Sequence, residues 1–164
     1  MLGLTFSAVG PEVEQSHFAA REHLDIAVAE LRRSNQAIYV PLGYLARARL
    51  RRVEGDFLGA QRDLDEVLEI AEPGPMRLHL CDMHIELCRL ALAEREGFAP
   101  LAATPPTLPT GEARDRLTQT AGEALDAAAA LIQHCGYHRR DAERDELSDL
   151  LASRRLFRDL PIHV

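Results

Sequence analysis

Residues 42–71 have the sequence LGYLARARLRRVEGDFLGAQRDLDEVLEIA, and their pattern predicts two helices joined by a tight turn. Apolar residues recur every three or four positions along both segments, as they do on the buried side of a helix. Gly55 can take the left-handed conformation that ends a helix, and Asp56 can cap the amides of the next one. Because so short a connection makes the helices antiparallel, the stretch predicts a helical hairpin. Its apolar sides are Leu42, Ala46, Leu50 and Val53, flanked by Ile38 and Leu45, and then Phe57, Ala60, Leu64, Val67, Leu68 and Ala71.

The composition favours helices throughout the chain. Of the 164 residues, 46% are hydrophobic and only 5% aromatic, with no tryptophan, which is typical of one α-helical domain over residues 1–164. The net charge of −7 argues against binding to nucleic acid or to an anionic membrane surface. No apolar run approaches the ~18 residues of a membrane span, so we expect a cytoplasmic protein. We expect free thiols at the three cysteines, which are Cys81, Cys88 and Cys135.

Further helices are predicted on both sides of the hairpin. Pro11 opens the first one, which runs to about residue 33, and Pro41 is compatible with the next only in its first turn. The later helices cover about residues 76–96, 111–135 and 141–154, and four prolines make residues 97–110 an exposed loop. The residues expected to face inward are Phe18, Leu24, Ala27, Val28 and Leu31 in the first helix, Met76, Leu80, Met83, His84, Leu87, Leu90 and Ala91 in residues 76–96, and Leu147, Leu150 and Leu151 in the last.

A repeat appears when the second helices of the hairpins are compared. The same place in an amphipathic helix is occupied by His23-Leu24-Asp25, by Asp63-Leu64-Asp65 and by Ala124-Leu125-Asp126. A single hairpin leaves an apolar face exposed, and stacking buries it. By this register residues 1–9 are the remnant of an earlier helix. We therefore expect either part of a longer repeat protein or a chain that pairs its open N-terminal end with another molecule.

The hairpin resembles the tetratricopeptide repeat (TPR). The Gly55-Asp56-Phe57 turn, the following Ala60 and the small Ala48 before it match hallmark positions of that family, whereas Arg47 and Arg51 replace apolar or aromatic residues. The resemblance implies an all-α, right-handed TPR-like solenoid of about three hairpins with a C-terminal capping helix. It also implies a concave face, formed by the first helices, that binds a peptide or protein segment.

A narrower resemblance covers about residues 37–147. The matching segments resemble the C-terminal repeat arm of bacterial signalling NTPases of the NACHT/STAND type, in which the arm senses a partner. They are LARA at 45–48, GDF at 55–57, AQRDLDE at 60–66, MRLHL at 76–80 and GYHRRD at 136–141. The chain has no phosphate-binding loop of the form Gly-x-x-x-x-Gly-Lys-Ser/Thr, so the nucleotide switch of those proteins is absent from this sequence.

Cys81, His84 and Cys88 are the candidates for a metal site. Their spacings of three and four place them on neighbouring parts of one helix face, and thiolate and imidazole suit zinc. A fourth ligand would come from elsewhere, such as His79 or the His134-Cys135 pair. Because apolar residues share this face, packing of a thiol and a histidine in the core is the favoured interpretation, and we predict no metal and no cofactor.

Arg49 and Arg52 are the strongest candidates for partner binding. In the repeat register both fall on the concave side, with Leu45 and His84 as further candidates, and guanidinium groups suit a carboxylate on an acidic peptide. The alternative is an internal ion pair with one of the many carboxylates. Apolar neighbours on the helical wheel predict that Arg49 is the more buried of the two.

A second basic group surrounds Gly136. Positive side chains at the end of a helix favour its negative pole, so capping is the simplest interpretation and a phosphate or acidic-peptide site is the alternative. The group consists of His134, His138, Arg139 and Arg140.

The sequence therefore predicts a binding protein rather than an enzyme. Neither a nucleophile elbow nor a His-Glu-x-x-His motif occurs in it. The leading hypothesis is a scaffold, adaptor or sensor arm for a protein or peptide. The alternatives are an oligomerisation element that self-associates through its N-terminal end and a metal-binding regulator.

Overall fold

The computed structural model describes residues 11–34 and 36–153, with side chains from residue 16 onward. Within these residues all regular structure is helical, which confirms the all-α class. The predicted role of residues 1–9 lies outside the described residues. The helices are α1 (Pro11–Arg33), α2 (Val40–Glu54), α3 (Phe57–Ala71), α4 (Arg77–Glu96), α5 (Gly111–Cys135) and α6 (Asp141–Ala152), with a short 3-10 helix (His138–Arg140) before α6.

The helix ends follow the local sequence signals. Pro41 lies in the first turn of α2, where its missing N–H costs nothing. Gly55 takes the left-handed conformation with φ 84° and donates its N–H to the last carbonyls of α2. The Asp56 side chain accepts a hydrogen bond from the Gly59 N–H at 2.9 Å and caps α3. These contacts confirm the predicted hairpin of α2 and α3.

Helix α4 is the centre of the molecule. It contacts α2, α3, α5 and α6, whereas α1 contacts α2. Twelve of its 20 residues are buried, which explains why its apolar residues form no single stripe. It shares two apolar clusters with its neighbours, one with α5 and α6 that includes Cys81, Ile85, Cys88, Ile132 and Leu147, and one with α1, α2 and α3 that includes Val28, Tyr44, Leu45, Leu64 and Met83.

Four of the residues predicted on or beside the inward faces are exposed. Phe18 on α1 is 70% exposed, Leu42 on α2 is 47% exposed and Ile38 before α2 is 56% exposed, and Ala27 also faces outward. Because α1 packs against α2 along one side, it buries a narrow stripe centred on Val28. In α2 the buried side includes Tyr44, Leu45 and Ala48 as well as the predicted Leu50 and Val53.

The proline-rich segment has no regular structure, as predicted, but part of it is packed against the hairpin. The Leu101 N–H donates to the Val53 carbonyl at 2.8 Å, and Ala99 is only 4% exposed. A Cβ placed on Gly55 would lie 3.2 Å from that of Ala99 and 3.4 Å from Cγ of Pro106. The expectation of a fully exposed loop is therefore wrong for these residues, because they cover the turn between α2 and α3.

Candidate functional site

A chain of buried ion pairs joins α2, α4 and the start of α6. Arg52 Nε donates to Glu86 Oε1 at 2.6 Å, and Arg89 Nη2 donates to Glu143 Oε2 at 2.7 Å. Glu143 also pairs with Arg140, whose Nε donates to Asp82 Oδ1 at 2.7 Å. We call this chain the Glu86 network, and its members are Arg49, Arg52, Asp82, Glu86, Arg89, Arg140 and Glu143.

The network follows from the spacing of charges on α4. Asp82, Glu86 and Arg89 are four and three positions apart, which places them on one side of the helix. That side meets the end of α2 and the segment that leads into α6. A set of charges at helical spacing is usually a solvated surface, but here it is buried because arginines from both neighbouring elements reach it.

Burial makes these pairs interdependent. The side chains of Glu86, Arg52 and Arg89 are 1%, 4% and 4% exposed. A buried charge that loses its partner is strongly destabilising. Burial raises the pKa of Glu143, but the hydrogen bonds and charges of Arg89 and then Arg140 outweigh it and hold the pKa below its ordinary value.

The contact between Arg49 and Glu86 is not a hydrogen bond. Arg49 Nε lies 3.6 Å from Glu86 Oε2, which is within ion-pair range but too long for a hydrogen bond. Both atoms are buried and neither has a hydrogen-bond partner. The Arg49 side chain as a whole is 28% exposed.

The structure places the four predicted partner-binding residues differently from one another. Arg49 and Arg52 meet at Glu86, but Arg52 is the more buried, at 3%. The prediction that Arg49 is the more buried of the two is therefore wrong, because Arg52 faces α4 and is covered by it. Leu45 is 2% exposed within an apolar cluster. His84 is two positions from Glu86, and hence about 200° away around α4, so it does not join the network.

Cys81, His84 and Cys88 lie in the core side of α4. Among the described residues no three His, Cys, Asp or Glu side chains come together as a metal-binding group. Burial raises the pKa of the Cys81 thiol to about 11 and that of Cys88 to about 12, which keeps both protonated. Burial also lowers the pKa of His84, whose Nδ1 has no hydrogen-bond partner.

The basic group around Gly136 does not converge on one point. Arg140 belongs to the Glu86 network, while Arg139 Cζ lies 5.7 Å from the centre of the Tyr137 ring. His138 Nδ1 is 3.0 Å from Asp141 Oδ2, and His134 contacts Arg77. Arg140 Cζ also lies 5.8 Å from the centre of that ring, so Arg139 and Arg140 share Tyr137, whereas His134 and His138 each contact a different residue.

A second buried carboxylate, Asp63 on α3, was not singled out by sequence. Arg47 donates to both of its oxygens, from Nη2 at 2.7 Å and from Nε at 2.9 Å, and Arg51 Nη1 lies 2.9 Å from Oδ2. Arg47 also donates to Asp25 on α1 at 2.9 Å. We call these four residues the Asp63 cluster. The sequence feature that could have indicated this cluster is the pair Arg47 and Arg51, four positions apart on α2, where the repeat pattern has apolar or aromatic residues.

Comparison of the chain with protein-family models, with curated proteins and with solved structures gives no match. None of the helices in the described part of the chain is both long and apolar enough to cross a membrane.

Proposed function

We propose that this chain is a protein-interaction module that binds a peptide or protein segment along α2, α4 and α6. The proposal is supported by the order of contacts, since α2 packs on α3 and α4 on α5, while α2 also touches α4 and α4 touches α6. This is the neighbour-to-neighbour packing expected of stacked hairpins. A TPR-like solenoid is our interpretation of it, with α2, α4 and α6 as first helices.

The observation that carries the proposal is that Arg49 is partly exposed and incompletely hydrogen-bonded. Its side chain is 28% exposed, and its ion-pair contact with Glu86, at 3.6 Å from Nε to Oε2, is too long for a hydrogen bond. An arginine offers five N–H donors in a planar fork that matches a carboxylate. Arg49 is therefore suited to receive an acidic side chain or a chain terminus from a partner. In this proposal Arg52 and Leu45 support Arg49 from inside, and His84 lies on another side of α4.

The test is binding to an array of acidic peptides, followed by affinity measurements on the peptides that bind. Arg49→Gln removes the charge without placing a new carboxylate beside Glu86, and we expect it to weaken binding by about tenfold or more. The matched control is Arg62→Gln on the exposed side of α3, which should leave affinity within about twofold. Equal affinities of both variants and the parent protein would contradict binding at Arg49.

Self-association is the second candidate, and a different observation favours it. Within the described residues, five of the eight large apolar side chains that are exposed lie between positions 18 and 42. Exposed apolar side chains concentrated along one stretch of chain favour an interaction surface there. Sedimentation at several concentrations separates the candidates, because a dimer that Phe18→Glu dissociates would favour this one. The five residues are Phe18, Ile26, Ile38, Tyr39 and Leu42.

A further inference from the structure

A cavity of about 220 Å³ lies where the end of α1, the start of α2 and the middle of α3 meet. Its lining combines apolar side chains with one positive and one negative side chain. It lies on a different side of α2 from Arg49, since Tyr44, which is hydrogen-bonded to two of the lining residues, is five positions from Arg49 and so about 140° away around the helix. The lining residues are Leu31, Arg32, Gln36, Ala37, Val40, Glu66 and Ile70.

The Tyr44 hydroxyl lies between the positive Arg32 and the negative Glu66 of this cavity and bonds to both. Arg32 Nη1 donates to the Tyr44 hydroxyl at 2.7 Å, and that hydroxyl donates to Glu66 Oε2 at 3.2 Å. Tyr44 is only 2% exposed, so its ring fixes the position of the hydroxyl. The hydroxyl uses one of the five N–H donors of Arg32 and one of the two carboxylate oxygens of Glu66.

The wall beside these charges is built from Leu31, Val40 and Ile70. A ligand that fits must therefore carry a cation, an anionic or carbonyl oxygen close to it, and a branched apolar group. An α-ammonium group next to a carboxyl or carbonyl carbon supplies both the cation and the nearby oxygen. An aliphatic side chain on the same carbon supplies the third, and a cavity of about 220 Å³, below the ~300–1,000 Å³ of pockets for drug-sized ligands, suits a ligand as small as one residue.

We propose that this pocket binds an aliphatic amino-acid residue by its α-ammonium group. Glu66 accepts the ammonium, Arg32 donates to the neighbouring oxygen, and the side chain lies against the apolar wall. A free amino acid and the N-terminal residue of a peptide share this chemistry. The proposal does not depend on the peptide-binding function proposed above, because it uses different residues on a different side of α2.

The first test is a titration followed by amide chemical shifts in ¹⁵N-labelled protein, with L-leucine and the peptide Leu-Gly-Gly as probes. We expect saturable shifts with a dissociation constant in the millimolar range, because the ligand is small. The shifts should be confined to residues 31–40 and 66–70. Tighter binding of leucine identifies a free amino acid as the ligand, and tighter binding of the peptide identifies a chain terminus. Absence of saturable shifts with both probes would overturn the proposal.

Two analogues test the recognition of charge without changing the protein. 4-Methylpentanoate lacks the ammonium of leucine, and 3-methylbutylamine lacks its carboxylate. The first should bind about tenfold more weakly than leucine, since a hydrogen bond to a charged group is lost. Weaker binding of 3-methylbutylamine than of leucine supports contact with Arg32. Equal binding of 4-methylpentanoate and leucine would overturn the assignment to Glu66.

Variants give an independent test. Glu66→Gln keeps the shape of the side chain and should weaken leucine binding about tenfold, whereas Glu69→Gln, on the exposed side of the same helix, should leave it unchanged. Ala37→Leu should abolish binding by filling the cavity from its rim. If Glu66→Gln binds leucine as tightly as the parent protein, the proposal is wrong. If that variant does not fold, the two analogues still decide the question.

Discussion

Asp63 and Glu86 are both almost fully buried, at 2% and 1% exposure, yet they are bonded differently. Both oxygens of Asp63 accept hydrogen bonds from Arg47, and Arg51 adds a further contact at 2.9 Å. Glu86 accepts a short hydrogen bond from Arg52 on one oxygen, while its other oxygen has only ion-pair contacts, at 3.6 Å to Arg49 and 3.8 Å to Arg89.

The difference separates two roles for a buried charge. A carboxylate whose oxygens are all hydrogen-bonded fixes the elements around it, and the Asp63 cluster fastens α1, α2 and α3 in this way. A carboxylate with one oxygen unsatisfied leaves its neighbouring arginine with donors to spare. That arginine is Arg49, and in the proposed function the less completely bonded of the two sites is therefore the one that offers a partner a charged contact.

The largest loss of stability should come from removing the hydrogen bond that Arg52 donates to Glu86. Arg52→Glu would put two carboxylates together where both side chains are at most 4% exposed. Loss of one partner from a buried pair costs about 3–5 kcal/mol, so we expect the free energy of unfolding in urea to fall by at least ~3 kcal/mol.

The control for this variant is Arg62→Glu, which makes the same charge change on an exposed part of α3. It should change stability by less than ~0.5 kcal/mol. A comparable, small change in both variants would show that Glu86 does not need Arg52, and would remove the contrast with Asp63.

The Asp63 cluster should tolerate the loss of one arginine better. Arg47→Met keeps much of the length of the side chain and leaves Arg51 beside Asp63, so we expect a loss of about 1–3 kcal/mol. The double variant Arg47→Met/Arg51→Met leaves Asp63 buried without an arginine and should lose more than the sum of the single variants. Simple additivity in urea denaturation would show that the two arginines do not substitute for each other.

Acidification tests the far end of the Glu86 network. The pKa of Glu143 is lowered in the folded protein, so its contribution is complete above the unfolded pKa of about 4.3 and is lost as the pH falls through the lower folded pKa. Glu143→Gln should lower stability at neutral pH and show a shallower further loss between about pH 5 and pH 3. Glu112→Gln, at a side chain 95% exposed, should keep the parent slope. An unchanged slope in Glu143→Gln would contradict the role of Glu143.

The sequence was sufficient for the elements of the fold because their ends depend on neighbours in the chain. Gly55 and Asp56 alone define the end of α2 and the start of α3. The buried sides were harder to predict, as Phe18 shows. It has the spacing of a core residue, but α1 packs on α2 along one narrow side. Which face of an end helix is buried depends on tertiary contacts that the periodicity does not contain.

The candidate site was predicted only in part, for a related reason. The sequence showed that Arg49 and Arg52 occupy one side of a helix and that a carboxylate was an available partner. It did not show that the carboxylate is Glu86, 34 positions beyond Arg52. That long-range contact decides which arginine is buried, so the order of burial could not be obtained from the helical wheel of α2.

The smallest expected effect concerns a second buried polar atom on α4 that has no hydrogen-bond partner. It tests whether such an atom only destabilises the fold or also marks a binding site. His84 Nδ1 is buried without a partner, as Glu86 Oε2 is, but Arg49 is absent from its side of the helix. Replacing such a group by an apolar one is stabilising when no bond is lost. We expect His84→Leu to raise the free energy of unfolding by about 1 kcal/mol at neutral pH and to leave peptide binding unchanged.

The pH dependence of this gain identifies its cause. Burial lowers the pKa of His84, so the unfolded chain binds the proton more readily, and the folded protein loses stability as the pH falls below the unfolded value of about 6.5. His84→Leu removes this loss, and its advantage should therefore grow between about pH 7 and pH 5. His23→Leu, on an exposed part of α1, serves as the control and should show no such growth. A destabilised His84→Leu variant would mean that the imidazole is needed where it lies, and that an unsatisfied atom on α4 does not by itself distinguish a cost from a binding site.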